Sequence, residues 1–455
     1  MSDATCQRAL FEEGFGKPVV VDFTGEQRSS DGGAVLLGAV DRRIGLTARL
    51  VEALEDGRDA SRVEHSVGAL FRQRVFAIAL GYSDQNDAAR IGNDPVLKML
   101  CGRSASSPCS LASQPTLSRF EGSRTGRELV ALSRTLERFV IARLRKRRPG
   151  ARRITIDLDS TEDPTHGQQP FSFFNGYYDS WCYLPMLGFL SVDDESEQHL
   201  FHARLRPGTA RDSRGTPALL IRTVRNLRKA FKRARILVRL DAGFAYPQIF
   251  DVLEKLRVDY VVGMPGNPKL AEAAAEHQRV VRELAQRYQA SLAWCGDTQY
   301  RTRSWSRARR VVFKAEALVY AGRAMKDNLR FYVTNLRQKP HAVWKLYSLR
   351  GDVENRIKEL HEGLEIDRTS CTSFLANQLR VLQSATAFVL YQELRSRVID
   401  RRLARAQVTT LRERLFKLGA VVKESVRRVV LSFPESYPWK ATWYGVARGL
   451  GAIVT

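Results

Sequence analysis

Cysteine is sparse and unpaired. Cys6, Cys101, Cys109, Cys182, Cys295 and Cys371 are scattered over 455 residues with no Cys-x-x-Cys pair and no histidine at zinc-ligand spacing. That excludes a disulfide framework and a Cys/His zinc module, and leaves reduced, structural thiols of the kind found in the cytoplasm. Long apolar runs are missing too: the longest, Trp181 to Val192, is far short of the roughly 20 residues a membrane-crossing helix needs. The opening Met-Ser-Asp-Ala-Thr-Cys-Gln-Arg lacks the basic-then-apolar order of a secretory leader. With no basic amphipathic anchor either, a cytoplasmic protein with no membrane partner is expected. Negative charge is scarce as well. Asp plus Glu number 49 against 73 Lys plus Arg, a net charge of +24, so the surface attracts polyanions, with nucleic acid foremost.

The scarce acids are placed where acids are costly. Ile154-Thr-Ile-Asp157-Leu-Asp159-Ser160-Thr161 and Val238-Arg-Leu-Asp241-Ala-Gly-Phe244 each put an Asp in or at the end of an apolar, β-branched run. Tyr347-Ser-Leu-Arg350-Gly-Asp-Val-Glu354-Asn-Arg-Ile-Lys358 puts a Glu in a helical pattern amid basic residues. Burying an anion without compensation costs several kcal/mol or forces protonation, so carboxylates gathered from such positions argue for a bound divalent metal. In so basic a chain, the substrate such a site suits is a nucleic acid phosphodiester.

Length and rhythm predict several domains. Residues 1–145 carry mostly helical periodicity, as in Leu36 to Leu54 and Val67 to Ile78, after an early extended piece, Pro18 to Phe23. Ser110 to Arg119 has the signs of a helix start, with Ser113 as cap and Pro115 in the first turn. Such a helix offers Gln114, Thr116, Ser118 and Arg119 to DNA, or is an ordinary surface helix. The basic run with a Pro-Gly break, Arg143 to Arg153, marks a boundary, and Arg145 and Arg147 are candidates to clamp a phosphate backbone.

From there the expected order is strand (Ile154–Asp159), strand (Cys182–Val192), strand (Leu200–Leu205), helix (Ala218–Phe231), strand (Ile236–Asp241), helix (Pro247–Leu256), strand (Asp259–Met264). Three strands followed by alternating helices and strands is the order of a ribonuclease-H-like domain, assigned to 146–268 and 341–400. Between its parts, 269–340 reads as a β-rich insertion. A helix over Ala271–Tyr288 precedes strands at Arg310–Tyr320 and Leu329–Leu336, and Trp294 and Trp305 are interleaved with Arg301, Arg303, Arg307, Arg309 and Arg310. These tryptophans are core residues or platforms for an unpaired base. Leu349 to Arg397 is strongly helical, and 401–455 is a basic C-terminal region whose aromatic stretch Pro434–Trp443 reads as irregular. The fold class expected is thus α/β, a ribonuclease-H-like catalytic domain with a β-rich insertion, preceded by a mostly helical DNA-binding domain.

Taken in order, these motifs resemble the DDE transposases of bacterial insertion sequences, specifically the insertion-sequence thirteen-eighty family of the insertion-sequence four superfamily. The resemblance rests on Asp157-Leu-Asp159-Ser-Thr-Glu-Asp163-Pro-Thr-His166-Gly167, Phe174-Asn-Gly-Tyr-Tyr178-Asp179 and Leu205-Arg-Pro-Gly208. It continues through Arg239-Leu-Asp241-Ala-Gly-Phe244, Asp259-Tyr-Val-Val-Gly263, Arg330-Phe-Tyr-Val-Thr-Asn335, Arg350 to Lys358, Asp367-Arg-Thr-Ser370 and Asn377-Gln-Leu-Arg380.

The resemblance implies that the first catalytic Asp precedes a Ser/Thr-Thr pair, which selects Asp159, with Asp157 a neighbour on the same strand face. It selects Asp241 by the following Ala-Gly-Phe and Glu354 by a Tyr-x2-Arg-x3-Glu-x6-Lys signature that includes Tyr347 and Arg350. His361 stands at the terminal Lys position, and an imidazole is a weaker phosphate partner than a permanent ammonium. Lys358, one turn earlier, can substitute. The implied chemistry is cleavage at element ends and joining of 3′-hydroxyls to target DNA on two Mg2+ ions, replaceable by Mn2+, held by Asp159, Asp241 and Glu354. The implied partners are terminal inverted repeats and target DNA, bound by at least a homodimer. A same-fold nuclease without strand transfer, or a DNA-binding regulator descended from a transposase, are the competing readings.

Overall fold

The computed structural model of the protein describes residues 8–11, 19–21, 25–398 and 400–454. The chain divides into two compact units, one of residues 45–57 and 119–392, the other of 1–44, 58–118 and 393–455.

The first of these units is a mixed α/β body. A short helix α1 (Leu46–Val51) is followed by the long α2 (Gly126–Arg147), whose start is fixed by a reciprocal capping box between Thr125 and Glu128. Strands β1 (Arg153–Ser160), β2 (Asp163–Pro164), β3 (Phe173–Asn175), β4 (Ser180–Tyr183), β5 (Met186–Val192) and β6 (His199–Arg204) come next. Then follow α3 (Thr216–Ala230), β7 (Arg235–Leu240), α4 (Pro247–Lys255) and β8 (Asp259–Met264). The chain goes on through α5 (Pro268–Tyr288), β9 (Leu292–Tyr300), β10 (Arg309–Leu318) and β11 (Lys326–Thr334) to α6 (Pro340–Ser348), α7 (Gly351–Leu364) and α8 (Phe374–Arg395).

Eight strands form one sheet in the order β9-β10-β11-β8-β7-β1-β5-β6. Strand β1 lies inside it, antiparallel to β5 and parallel to β7, and its residues from Ile154 to Asp159 are buried. Its sequence nonetheless alternates, with Ile154, Ile156 and Leu158 on one face and Thr155, Asp157 and Asp159 on the other, so both acids leave the same side of the strand. Helices α3 and α4 bury Leu219, Leu220, Val224 and Leu227, and Ile249, Phe250 and Leu253. In α3 these recur at the three- and four-residue spacing of one helix face.

Two expectations change in detail. The single strand expected over Cys182–Val192 is two, β4 and β5, in different sheets, because Pro185 between them has no N–H for a ladder. The strands of 269–340 do not build a separate sheet. They extend the large one, β11 pairing antiparallel with β8, and include the edge strand β9, which the sequence reading did not assign. Alternation along β10 sends Val312 to a cluster with Val343 of α6 and Ala317 to a cluster with Val281 and Ala285 of α5, so the extension has a helix on each face.

The other unit joins both ends of the chain. Helices Val35–Ile44 and Val67–Ala79 match the expected periodicity, and the first stops at Gly45, whose φ of +68 breaks the run before α1. The basic C-terminal region, to which the sequence reading assigned no strand, supplies a hairpin, Ala420–Glu424 and Val429–Ser432, which pairs with Arg28–Ser29. A helix, Lys440–Gly449, takes in the end of the aromatic stretch. A Cβ on Gly33 would lie 1.8 Å from the Leu415 carbonyl oxygen, so only glycine admits this backbone approach. Of the extended piece expected at Pro18–Phe23, Val19–Val21 pairs with Ala9–Phe11, and the rest lies outside the described residues. Among the described residues, no helix is long and apolar enough to cross a membrane.

Candidate active site

Sheet register brings the first two acids together. Strands β1 and β7 are parallel neighbours with Leu158 opposite Leu240, so Asp159 and Asp241 leave adjacent strands, roughly 4.8 Å apart, at the same end. Asp241 ends its strand by capping a turn, its Oδ1 accepting from the Gly243 N–H at 2.9 Å. A Cβ on Gly243 would lie 3.1 Å from that carboxylate and 2.6 Å from Asp212, which accounts for the glycine of the Asp-Ala-Gly-Phe motif. Glu354 stands in the first turn of α7, where the helix N-terminus favours an anion.

All three carboxylates turn to one guanidinium. Arg350, buried just before α7, places Nη2 at 2.8 Å from Asp159 and 3.4 Å from Asp241, and Nη1 at 3.8 Å from Glu354. The site therefore has more negative than positive charge at its centre. Burial pushes the Asp159 carboxyl up to about 7; Arg350 opposes this, while Asp241 and Glu354 add to it. Asp241 is raised for the same reasons, with Asp212 as its acidic neighbour. Burial works against the charge of Arg350, but Asp159 and Asp241 outweigh it and hold the guanidinium protonated. The Nε of Arg350 is buried with no hydrogen-bond partner.

Tyr347, at the end of α6, belongs to the same cluster. Its ring packs on Tyr332 at 4.5 Å, and its hydroxyl sits where a Cβ on Gly263 would come within 2.9 Å. Burial raises its pKa, Arg350 opposes this, and all three acids contribute to the rise. His361 is held rather than free. A carboxylate only accepts, so the Nδ1–H points to Asp367 at 2.9 Å and Nε2 meets the Thr161 hydroxyl at 2.9 Å. Asp367 is half-buried, which pushes it up, yet its bond to His361 keeps it below the usual carboxylate range. Lys358 is exposed and pairs only loosely with Glu362, at 3.9 Å.

Asp157 does not share the site. It lies opposite Arg239 on the neighbouring strand, and a two-pronged pair at 2.8 and 2.7 Å uses both of its oxygens. Arg239 also donates to the Leu346 carbonyl at 3.0 Å, tying β7 to α6 just before Tyr347.

Sequence reasoning missed Asp212. Its carboxylate accepts from the Ser160 hydroxyl and, at 2.9 Å, from Arg206, in a loop without periodicity. The one signal for it was Leu205-Arg206-Pro-Gly208, six residues upstream of Asp212 at its Arg206. The stacking role considered for Trp305 meets a correction: the residue is 4 % exposed, and its ring packs on Phe250 and Tyr300 and under Arg309. Trp294 is exposed beside His277. Arg119 is exposed on the helix Gln114–Gly122, which starts with Pro115 in its first turn as expected. Arg145 lies over the Phe231 ring and donates to the Pro149 carbonyl, and Arg147 approaches His199 at 3.4 Å.

The donor set suits a hard divalent cation, since every candidate ligand is a carboxylate oxygen. The excess of negative charge around Arg350 is what such an ion would relieve. As the side chains stand they are gathered on the guanidinium, and among the described residues no three His, Cys, Asp or Glu side chains are close enough together to hold a metal ion.

None of the curated proteins matches the chain. A family model described as Transposase DDE domain group 1 matches residues 11–453. With that match spanning nearly its whole length, the chain belongs to the DDE transposase family, group 1.

Proposed function

We propose that the protein is the transposase of an insertion sequence of the thirteen-eighty type, built on a ribonuclease-H-like catalytic domain, which cleaves the element's ends and joins the freed 3′-hydroxyls to target DNA. The observation that carries the reading is the meeting of Asp159, Asp241 and Glu354, from two adjacent strand ends and one helix start, on Arg350. Asp159, Asp241 and Glu354 are the residues that would hold Mg2+, which supplies Lewis-acid activation of water or a 3′-hydroxyl and neutralises charge on the leaving oxygen.

The chain's own groups have distinct tasks. Arg350 holds the carboxylates together in the absence of substrate, and its unpartnered Nε and permanent charge suit it to a phosphate oxygen. The Tyr347 hydroxyl, packed beside the acids, orients the DNA backbone. Asp212 fixes the end of β1 through Ser160 and keeps Arg206 turned toward it. His361 braces Thr161 and leaves the exposed Lys358 as the candidate cation for a phosphate on that helix. At least two copies act together, because both ends of an element must be joined in one complex.

The test is an assay with pre-cleaved element ends and a plasmid target in Mg2+. Joined products are expected. Cleavage of uncut ends with no joining would leave a nuclease instead.

A further inference from the structure

The strands β3 and β4 form a hairpin that carries more exposed aromatic surface than its size accounts for. Phe174 and Trp181 face each other across it, 49 % and 59 % exposed, and Tyr177 at the tip is 88 % exposed. The Phe174 and Trp181 rings meet edge to face at 6.4 Å, and Tyr177 stands edge-on to Tyr178 at 4.9 Å. Residues paired across a ladder share a face, so Phe174 and Trp181 lie together on one side. The other side holds buried Cys182, Phe173, which is 41 % exposed, and half-buried Asn175, whose amide donates to the Gly208 carbonyl at 2.8 Å. Scattered exposed aromatics are ordinary, but a contiguous patch on one small sheet marks a binding surface.

Its surroundings point to the ligand. The hairpin is bound to the segment that follows Asp159: the Thr165 N–H donates to the Trp181 carbonyl at 2.9 Å, and Ser180 donates to Glu162. Burial pushes the Tyr178 hydroxyl up to about 12, and the charges of Asp159, Tyr177, Asp212 and Glu162 add to the rise. On the other flank, Gly208 is pressed so closely on the hairpin that a Cβ there would lie 2.2 Å from the Cys182 carbonyl oxygen. The loop of Gly208 carries exposed Arg211 and Arg214, and exposed Arg204 ends the strand before it. Burial and the nearby charges of Arg206, Arg214 and Arg222 all weigh against the charge of Arg204, a crowding of cations that an anion would relieve.

We propose that the aromatic face of this hairpin, with the arginines of the adjoining loop, is a platform for unpaired DNA strand next to the candidate active site. Flat π-faces take bases of any identity and guanidinium groups take the phosphates between them, a combination that favours single strands over duplex. This rests on the transposase reading for its choice of nucleic acid, and it adds that DNA is held with bases unstacked from the helix at the acids.

The test uses the full chain in EDTA, where cleavage is blocked and binding does not depend on the acids. Fluorescence polarisation would compare oligothymidylate of about a dozen nucleotides with a duplex of the same length. Wild-type protein is expected to favour the single strand, with quenching of tryptophan emission. The triple variant F174A/Y177A/W181A is expected to lose roughly tenfold or more in single-strand affinity with duplex affinity nearly unchanged, and W181F to keep most of it. Unchanged single-strand binding in the triple variant and in W181A alone would overturn the proposal. So would an equal loss for duplex, or a wild-type dimer in sedimentation that the variants turn to monomer, which would make the face a contact between copies. The two readings fail separately: Glu354→Gln should abolish cleavage and keep oligothymidylate binding. Cleavage that survives this change removes the site assignment without touching the platform.

Discussion

Arg239 and Arg350 each meet a carboxylate of β1, but in opposite proportion. Arg239 faces Asp157 alone, both side chains are buried, and each prong of the guanidinium has its own oxygen. Arg350 faces Asp159, Asp241 and Glu354 together, and Glu354 remains 71 % exposed. The first pair is balanced in charge and closed to solvent, so nothing further can bind it, and its effect is to fix β7 and α6. The second is unbalanced and open on one side, which is what a site awaiting a cation and a phosphate requires. Two aspartates of one strand, with one residue between them, thus differ in their partners, Asp157 meeting Arg239 and Asp159 meeting Arg350.

The comparison would be broken most sharply by catalysis. Asp159→Asn or Glu354→Gln should lower Mg2+-dependent strand cleavage by orders of magnitude, with binding of element ends nearly intact; a cleavage rate within tenfold of wild type would sink the assignment. Next in size is the cost of opening the balanced pair. Arg239→Met leaves Asp157 buried and unpaired, and denaturant unfolding should show a loss of about 3–5 kcal/mol, most of it regained when Asp157→Leu is added. If the double variant is no more stable than the single one, the two side chains do not act as a unit.

The smallest effect concerns pH. Asp159 has a folded-state pKa of about 7 against an ordinary 3.8, so the fold binds its proton more tightly than the unfolded chain does. Its stabilising contribution is complete below about pH 4 and is lost as pH rises through about 7. Metal-free protein should therefore become less stable across this window, by at most a few kcal/mol, and Asp159→Asn should flatten the slope. At pH 8, Mg2+ at a hundredfold excess over its dissociation constant should restore about 2.7 kcal/mol. A melting temperature indifferent to Mg2+ would argue against an ion at these carboxylates.

Much of this was written locally. Asp159 and Asp241 stood out because they lie in or at the end of β-branched runs, and Glu354 because it lies in a helical pattern amid basic residues; the resemblance to DDE transposases then selected them. What escaped reading depends on partners distant in the chain. Asp157 has the same strand context as Asp159, and only the register against Arg239 separates them. Strand β9, Leu-Ala-Trp-Cys-Gly-Asp-Thr-Gln-Tyr, lies at the sheet edge with mostly accessible side chains, so it lacks the alternation that marks a half-buried strand. Trp305 sits among arginines in sequence and among rings in space. Asp212 lies in a loop, where no periodicity points to it, and the hairpin Ala420–Ser432 finds its partner nearly four hundred residues upstream.

That last pairing has a consequence for how the molecule is made. Gly32 donates to the Leu418 carbonyl at 2.8 Å, Lys417 pairs with Asp31 at 2.7 Å, and Arg28–Ser29 supplies one strand of a sheet whose other two lie between Ala420 and Ser432. During translation the early segment has no mate until those late residues leave the ribosome, whereas everything from Arg119 to Gln392 can condense first. A nascent chain stopped before Ala420 would carry a finished acid cluster and an unfinished second unit, so truncation by a late frameshift would leave that second unit unable to close.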